Sequence, residues 1–397
     1  MILDKLFMLM AEKKASDIFI SAGAPINIKI QGNCIPINQQ VMDPATIQRM
    51  AYELLKPEQV THLETARELN LSVGIADIGN FRINMFWQRN SIGIVVRFIT
   101  SAIPRIEELA LPAVLSDIIM GKRGLVLVVG ATGSGKSTTI ASMLDHRNTC
   151  RTGHILTVED PIEFLFKHKK SIVNQREVGL DTHSWHDALK NAMRQAPDCI
   201  LIGEIRDKET MSAAIAYAQT GHLCVATLHA NNAYHALNRI INFFPLENRT
   251  ALYLDLSSTL KTIISQRLVR RPDGHRIPSV EILLNTRHIS ELIEKGEING
   301  IKEAMEQSLA PGSQTFEQDL FRLYKENTIT LDEALANADS PTNLSWLINN
   351  SEIAGSAQKE EKHNDIPLDF SATHPGGPSF KEFTLSLNDV EEQTDAQ

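Results

Sequence analysis

The nine residues Gly130-Ala131-Thr132-Gly133-Ser134-Gly135-Lys136-Ser137-Thr138 fit the pattern G-x-x-x-x-G-K-[S/T], which is a spacing suited to holding phosphate. The glycines let successive backbone N–H groups turn inward around phosphate oxygens. The start of a following helix adds positive potential, and a lysine at this offset reaches the β- and γ-phosphates. Ser137 offers a hydroxyl to Mg2+. Gly130, Thr132, Gly133, Ser134, Gly135, Lys136, Ser137 and Thr138 are therefore the candidate nucleotide-binding residues. The four fixed positions would arise by chance in about one chain of this length in a hundred. Placement sharpens the signal, because the apolar run Leu125 to Val129 precedes the loop and a helix is expected from Lys136.

Carboxylates follow two further apolar runs. Thr157-Val158-Glu159-Asp160-Pro161-Ile162-Glu163-Phe164 clusters three acids just past an expected strand. Alone, such a cluster reads as a solvated loop. Beside a phosphate loop, it supplies a base or orienting group for an attacking water. Pro197-Asp198-Cys199-Ile200-Leu201-Ile202-Gly203-Glu204 has the form of a Walker B strand with Glu in place of Asp, and Glu204 can hold Mg2+ through water. Gly221-His222 and Leu228-His229-Ala230-Asn231-Asn232 bracket another strand. Single histidines mostly pack or sit on the surface, but this pair suits a γ-phosphate sensor or an interface contact. Arg82, Arg89 and Arg97 lie on or beside paired strands. Exposed strand arginines mostly aid solubility, yet a motor also needs arginines that reach a neighbour's phosphate.

These groups require elements that converge. The short continuous apolar runs at Leu125 to Val129, Ile155 to Val158, Cys199 to Ile202 and Leu223 to Thr227 predict a parallel sheet buried on both faces. In such sheets the ligand site lies beyond the carboxyl ends of the strands, so four endings point to one crevice. Up to about Ile99 the pattern is α+β: a short helix, then strands at Asp17 to Ser21, Asn27 to Gln31, Phe81 to Trp87 and Ser91 to Ile99, with a turn at Arg89-Asn90. A boundary belongs near residue 105. From Asn238 to Leu347 the reading is mainly helical, with stops at Pro245, Pro272-Asp273-Gly274 and Pro311-Gly312. Beyond Asn349 the chain lacks periodicity and reads as a disordered acidic tail.

Composition excludes several classes. The 397 residues carry a net charge of −9, which does not favour nucleic acid as a partner. Residues 351–397 hold ten acidic and three basic groups, so most of that charge belongs to the tail. The four cysteines form no CxxC pair, which argues against a zinc knuckle and reads as buried, reduced thiols. No run approaches the roughly 20 apolar residues of a membrane span, and the start is an amphipathic helix with no signal-peptide features. A cytoplasmic protein is expected.

In this order and spacing, the motifs resemble the type IV pilus retraction ATPases of the secretion ATPase superfamily, from about Met1 to Leu347. Ala15-Ser16-Asp17-Ile18-Phe19-Ile20-Ser21-Ala22-Gly23 is similar to the start of that family's N-terminal domain, and Gly79 to Asn84 and Val96-Arg97 to its arginine-bearing strands. Glu159 to Phe164 resembles the Asp box, Gly203 to Asp207 the Walker B segment, and Gly221 to Ala230 the His box. The resemblance implies an α/β fold class. A PAS-like α+β N-terminal domain (1–100) and a linker (101–112) would precede a RecA-like P-loop ATPase domain with a helical C-terminal part (113–348) and the tail (349–397). It further implies a homohexamer that hydrolyses ATP with Mg2+ and acts on an inner-membrane pilus platform protein, at the periphery of that membrane. By position, Glu163 corresponds to the general base with Glu159 as rival, and Glu204 to the carboxylate beside Mg2+. His222 and His229 correspond to the sensors, and Arg82 and Arg97 to arginines completing a site across a subunit boundary.

Within the family, Gln175 to Thr182, Ile240 to Pro245 and Gln314 to Phe321 read like the PilU branch. The Ala-Ile-Arg-Asn type motif of the PilT branch is replaced by Arg287-His288-Ile289-Ser290. This implies an accessory motor that works with a PilT-like paralogue. Two alternatives stay open: a regulatory ATP-binding subunit docked on a partner hexamer, and a pilus assembly or type II secretion ATPase.

Overall fold

The computed structural model describes residues 2–350 apart from 31, 76, 77, 100 and 101. The expected tail lies outside the described residues beyond position 350. Residues 1–347 form one compact unit.

Its first part comprises α1 (Ile2–Lys13), β1 (Asp17–Ile20), β2 (Pro25–Ile30), β3 (Asn33–Val41), α2 (Pro44–Leu54), α3 (Pro57–Ala66), β4 (Glu68–Ile75), β5 (Gly79–Gln88) and β6 (Ser91–Ile99). The strands form an antiparallel sheet in the order β3-β2-β1-β6-β5-β4. Alternation along β5 turns Phe81, Ile83 and Met85 inward, where Phe81 stacks on Phe7 of α1 at 4.5 Å. Arg89 and Asn90, both at positive φ, close the β5–β6 hairpin. Helix α2 starts where Asp43 accepts the Thr46 N–H and Pro44 fills the first turn. Helices α2 and α3 and strands β3 and β4 are additions to the sequence reading. Strand β3 is exposed along nearly its whole length and contains Pro36, so it shows no inward face to alternate.

The second part comprises α4 (Val114–Ile119), β7 (Gly124–Val129), α5 (Lys136–Cys150), β8 (Gly153–Glu159), β9 (Ser171–Glu177), α6 (Trp185–Ala192), β10 (Cys199–Ile202), α7 (Lys208–Gln219), β11 (Leu223–Leu228), α8 (Ala233–Asn242), α9 (Arg249–Thr259), β12 (Leu260–Arg270), β13 (Arg276–Leu284), α10 (Arg287–Lys295), α11 (Ile301–Glu306), α12 (Phe316–Lys325) and α13 (Leu331–Asn337). The sheet order is β13-β12-β7-β11-β10-β8-β9, parallel except for the β12–β13 hairpin. Every residue of β7, β10 and β11 is buried. Leu125, Leu127 and Val129 pack into one apolar layer with α7, α8 and α9, while Val126 and Val128 pack into the other with α4 and α5. Burying one such side chain stabilises the fold by about 1.5–3 kcal/mol. Both faces are covered, which is why the sequence shows unbroken apolar runs.

One stretch differs from the expectation of helix. Residues 260–284 form the β12–β13 hairpin, with Pro272-Asp273-Gly274 at its turn. Buried Thr262, Ser265 and Gln266 interrupt its apolar pattern, because that strand serves polar partners on both sides. The thiols also divide: Cys199 and Cys224 are buried as expected, whereas Cys34 and Cys150 are exposed. Among the described residues no helix is long and apolar enough to cross a membrane.

Candidate active site

Register brings the carboxyl ends of β7, β8, β10 and β11 to one edge, since Val129 pairs with Leu228 and Ile202 with both Ala226 and Val158. The loops that follow enclose a cleft of about 560 Å³. On one wall, the chain leaves β7 at Val129 and re-enters helix at Lys136. Gly130 and Gly135 are required by space as well as by their positive φ: a Cβ would lie 2.5 Å from Gln266 O at the first and 2.8 Å from Gln266 Nε2 at the second. Gln266, buried on β12, donates to Ser134 O at 2.8 Å and accepts from Thr139 Oγ1 at 2.7 Å, fixing the loop and the first turn of α5 together. Ser134 Oγ is buried and makes no hydrogen bond.

Lys136 Nζ donates to Gly130 O and Ala131 O, both at 2.9 Å. Burial lowers its pKa, and the charges of Glu204 and Glu163 across the cleft oppose that lowering. Gly133, Ser137 and Thr138 line the same wall with Thr132.

The opposite wall carries the acids. Glu204 Oε2 accepts from Arg206 Nε at 2.7 Å, and Glu204 Oε1 lies 3.4 Å from His229 Nε2. Arg206 also reaches Asp160 at 3.4 Å. Glu159 accepts from Thr157 Oγ1 at 2.6 Å and from Gln175 Nε2 at 3.3 Å, and burial pushes its carboxyl up to about 7. Glu163 lines the cleft facing Lys136. Thus Lys136, Ser137, Glu163, Glu204 and His229 are brought together.

Three expected residues stand elsewhere. His222 precedes β11, so the strand's six residues, roughly 20 Å, separate it from the cleft. Its Nδ1 lies 3.0 Å from Thr220 Oγ1 and 3.2 Å from Tyr217 O. Arg97 donates to Asp17 at 2.9 Å while most of its side chain stays exposed. Arg82 pairs at 2.7 Å with Glu177, a nearly fully buried carboxylate at the end of β9. Glu177 Oε2 also accepts the N–H of Ile162, beside Glu163. Burial raises the Glu177 pKa, and the Arg82 charge works against that rise. Removing Arg82 therefore strands a buried charge: Arg82→Ala is expected to destabilise the fold by about 3 kcal/mol. Thermal unfolding of the purified variant checks this, and an unchanged melting temperature would mean the pair is only a resting contact.

Gln266, Arg206 and Glu177 were not singled out from the sequence. Arg206 stood in plain view within Gly203 to Asp207, two residues past Glu204. The other two act across long separations and carry no local signature.

The model of the family described as "Type II/IV secretion system protein" matches residues 1–313. The chain is 44% identical over 379 residues to the "Type IV pilus ATPase PilU" of Pseudomonas aeruginosa, covering 95% of this chain and 99% of that one. It is 37% identical over 340 residues to the "Type IV pilus retractation ATPase PilT" of the same organism, covering 86% and 99%. Among solved structures, the "Pilus Retraction Motor PilT and Bound ADP" superimposes with a TM-score of 0.80 at 40% identity, covering 86% of this chain and 98% of that chain.

Proposed function

The chain belongs to the type II/IV secretion system protein family, and from that premise we propose that it is an ATPase of type IV pilus retraction of the PilU kind. Its fold is RecA-like with a smaller α+β N-terminal domain, as the motifs implied. The finer reading is a homohexamer, dependent on Mg2+, that assists a PilT-like paralogue and acts on an inner-membrane platform protein from the cytoplasmic side. Residues 1–100, 101–112, 113–348 and 349–397 are assigned as N-terminal domain, linker, ATPase domain and acidic tail.

The observation that carries the reading is one cleft with Lys136 on the phosphate-loop wall and Glu163, Glu204 and His229 on the other. Its residues suit a nucleotide with Mg2+: the unpartnered Ser134 Oγ and the cramped glycines belong to a phosphate cradle. Mg2+ keeps most of its waters and needs only one or two protein oxygens beside the phosphates, so the Ser137 hydroxyl and the Glu204 carboxylate suffice. When bound, the ion offsets charge on the β- and γ-phosphate oxygens.

The chain's own groups do the rest. Backbone N–H groups from Thr132 to Thr138 hold the phosphates, and Lys136 exchanges its two carbonyl partners for phosphate oxygens. Glu163 takes the proton of the attacking water, with Glu159 as the rival. His229, within reach of Glu204, reports the state of the γ-phosphate. Arg82, Arg97 and His222, lying away from the cleft, are assigned to contacts across a subunit boundary.

Steady-state ATP turnover by the purified chain, with and without Mg2+ and with light scattering for the ring, tests the reading. Metal-dependent turnover by a hexamer is the expected result. Tight ATP binding without turnover would instead leave a regulatory subunit.

A further inference from the structure

A carboxylate inside a core needs donors for its oxygens. Glu281, in the middle of β13, is buried, and its Oε1 accepts the Ala233 N–H at 2.7 Å and the Ser265 hydroxyl at 2.8 Å. Ala233 is the first residue of α8, where free N–H groups and the positive end of the helix favour an anion. Ser265 faces Glu281 across the hairpin and pairs on its other side with Val129, the last residue before the phosphate loop. Alternation along β12 sends Gln266 to the opposite face, toward the phosphate loop and α5. One hairpin thus braces both walls of the cleft.

The residues just before α8 are held in the same way. Asn231 O accepts from Arg267 at 3.3 Å. Asn232 caps α8 by accepting the His235 N–H at 2.9 Å, and its amide donates to Asp339 at 2.7 Å. Asp339 in turn pairs with Arg267, whose guanidinium lies 4.0 Å over the Phe316 ring. Two residues upstream of Asn231 stands His229, its carbonyl accepting from Arg239 at 2.9 Å.

We infer that Glu281 is a positioning residue: by holding the first N–H of α8 it fixes where His229 stands against Glu204, opposite Lys136. The inference rests on the proposed role of His229. It assigns Glu281 no contact with nucleotide, so ATP affinity, set by the loop that Gln266 braces, stays independent of it.

A double-mutant cycle tests this, run at pH 8 because burial pushes the Glu281 carboxyl up to about 7. Glu281→Ala is expected to lower kcat about tenfold with the KM for ATP within about twofold. Glu281→Gln, which keeps the acceptor for both donors, should stay within about threefold of the parent. In a His229→Ala background, Glu281→Ala should cost less than about twofold more. The same tenfold loss in both backgrounds overturns the inference and leaves the role of His229 standing. If His229→Ala alone leaves kcat unchanged, the role of His229 fails and the inference falls with it. Should Glu281→Ala not fold, Glu281→Met fills the volume without an acceptor; if neither folds, Glu281 is a folding residue and the inference is wrong.

Discussion

Lys136→Ala is expected to lower ATP turnover at least about a hundredfold, the scale of losing one preorganised group that meets charge as it develops. The ammonium is held by two carbonyls of its own loop, so it stays within the curl of that loop. Its partners are neutral dipoles, which a phosphate oxygen displaces readily because an anionic acceptor makes the stronger bond. Alanine removes that exchange but leaves the glycine turns and the Gln266 brace, so the nucleotide-free variant should melt within a few degrees of the parent. What it should lose is the stabilisation that ATP confers, about 2.7 kcal/mol when ATP stands at a hundred times its dissociation constant. Phosphate release and the ATP-induced shift in melting temperature measure the two effects separately. A variant that turns over ATP within about threefold of the parent would remove Lys136 from the mechanism and, with it, the motor reading.

Much of this site was legible in the sequence because its pieces are local. The phosphate loop, the acids after β8 and β10, and His229 each follow a strand buried on both faces, which writes itself as a continuous apolar run. The supporting shell was hidden because its contacts are distant. Gln266 meets Ser134 across 132 positions, and Glu281 meets Ala233 across 48. The polar residues that make those contacts also break the apolar pattern of β12, so the sequence of the hairpin does not show a strand's alternation. Strand β9, with buried Ser171 and Glu177, carries no strand pattern for the same reason, which also hides the buried partner of Arg82. A buried polar side chain weakens the strand signal at the very place where it braces the site.

The two glutamates of the Asp box should separate cleanly. Glu163→Gln is expected to lower kcat at least about a hundredfold, in the range of lost general-base assistance, with ATP affinity within about threefold. Glu159→Gln should cost less than about tenfold. A base must be charged and must face the water it deprotonates. Glu159 also lines the cleft, but burial pushes its carboxyl up to about 7, and Thr157 and Gln175 both donate to its Oε1. Through Gln175, which also donates to Phe164 O, it is tied to the segment just after Glu163. The two roles also differ in pH dependence. With a folded pKa of about 7 against 4.5 for a free carboxyl, Glu159 binds more protons folded than unfolded between those values, so its contribution to stability falls as pH rises through that window. Glutamine does not titrate, so the melting temperature of Glu159→Gln relative to the parent should be higher at pH 8 than at pH 5. If Glu159 were the base, kcat would rise through pH 7, and Glu159→Gln would abolish it while Glu163→Gln spared it. That result would exchange the two roles.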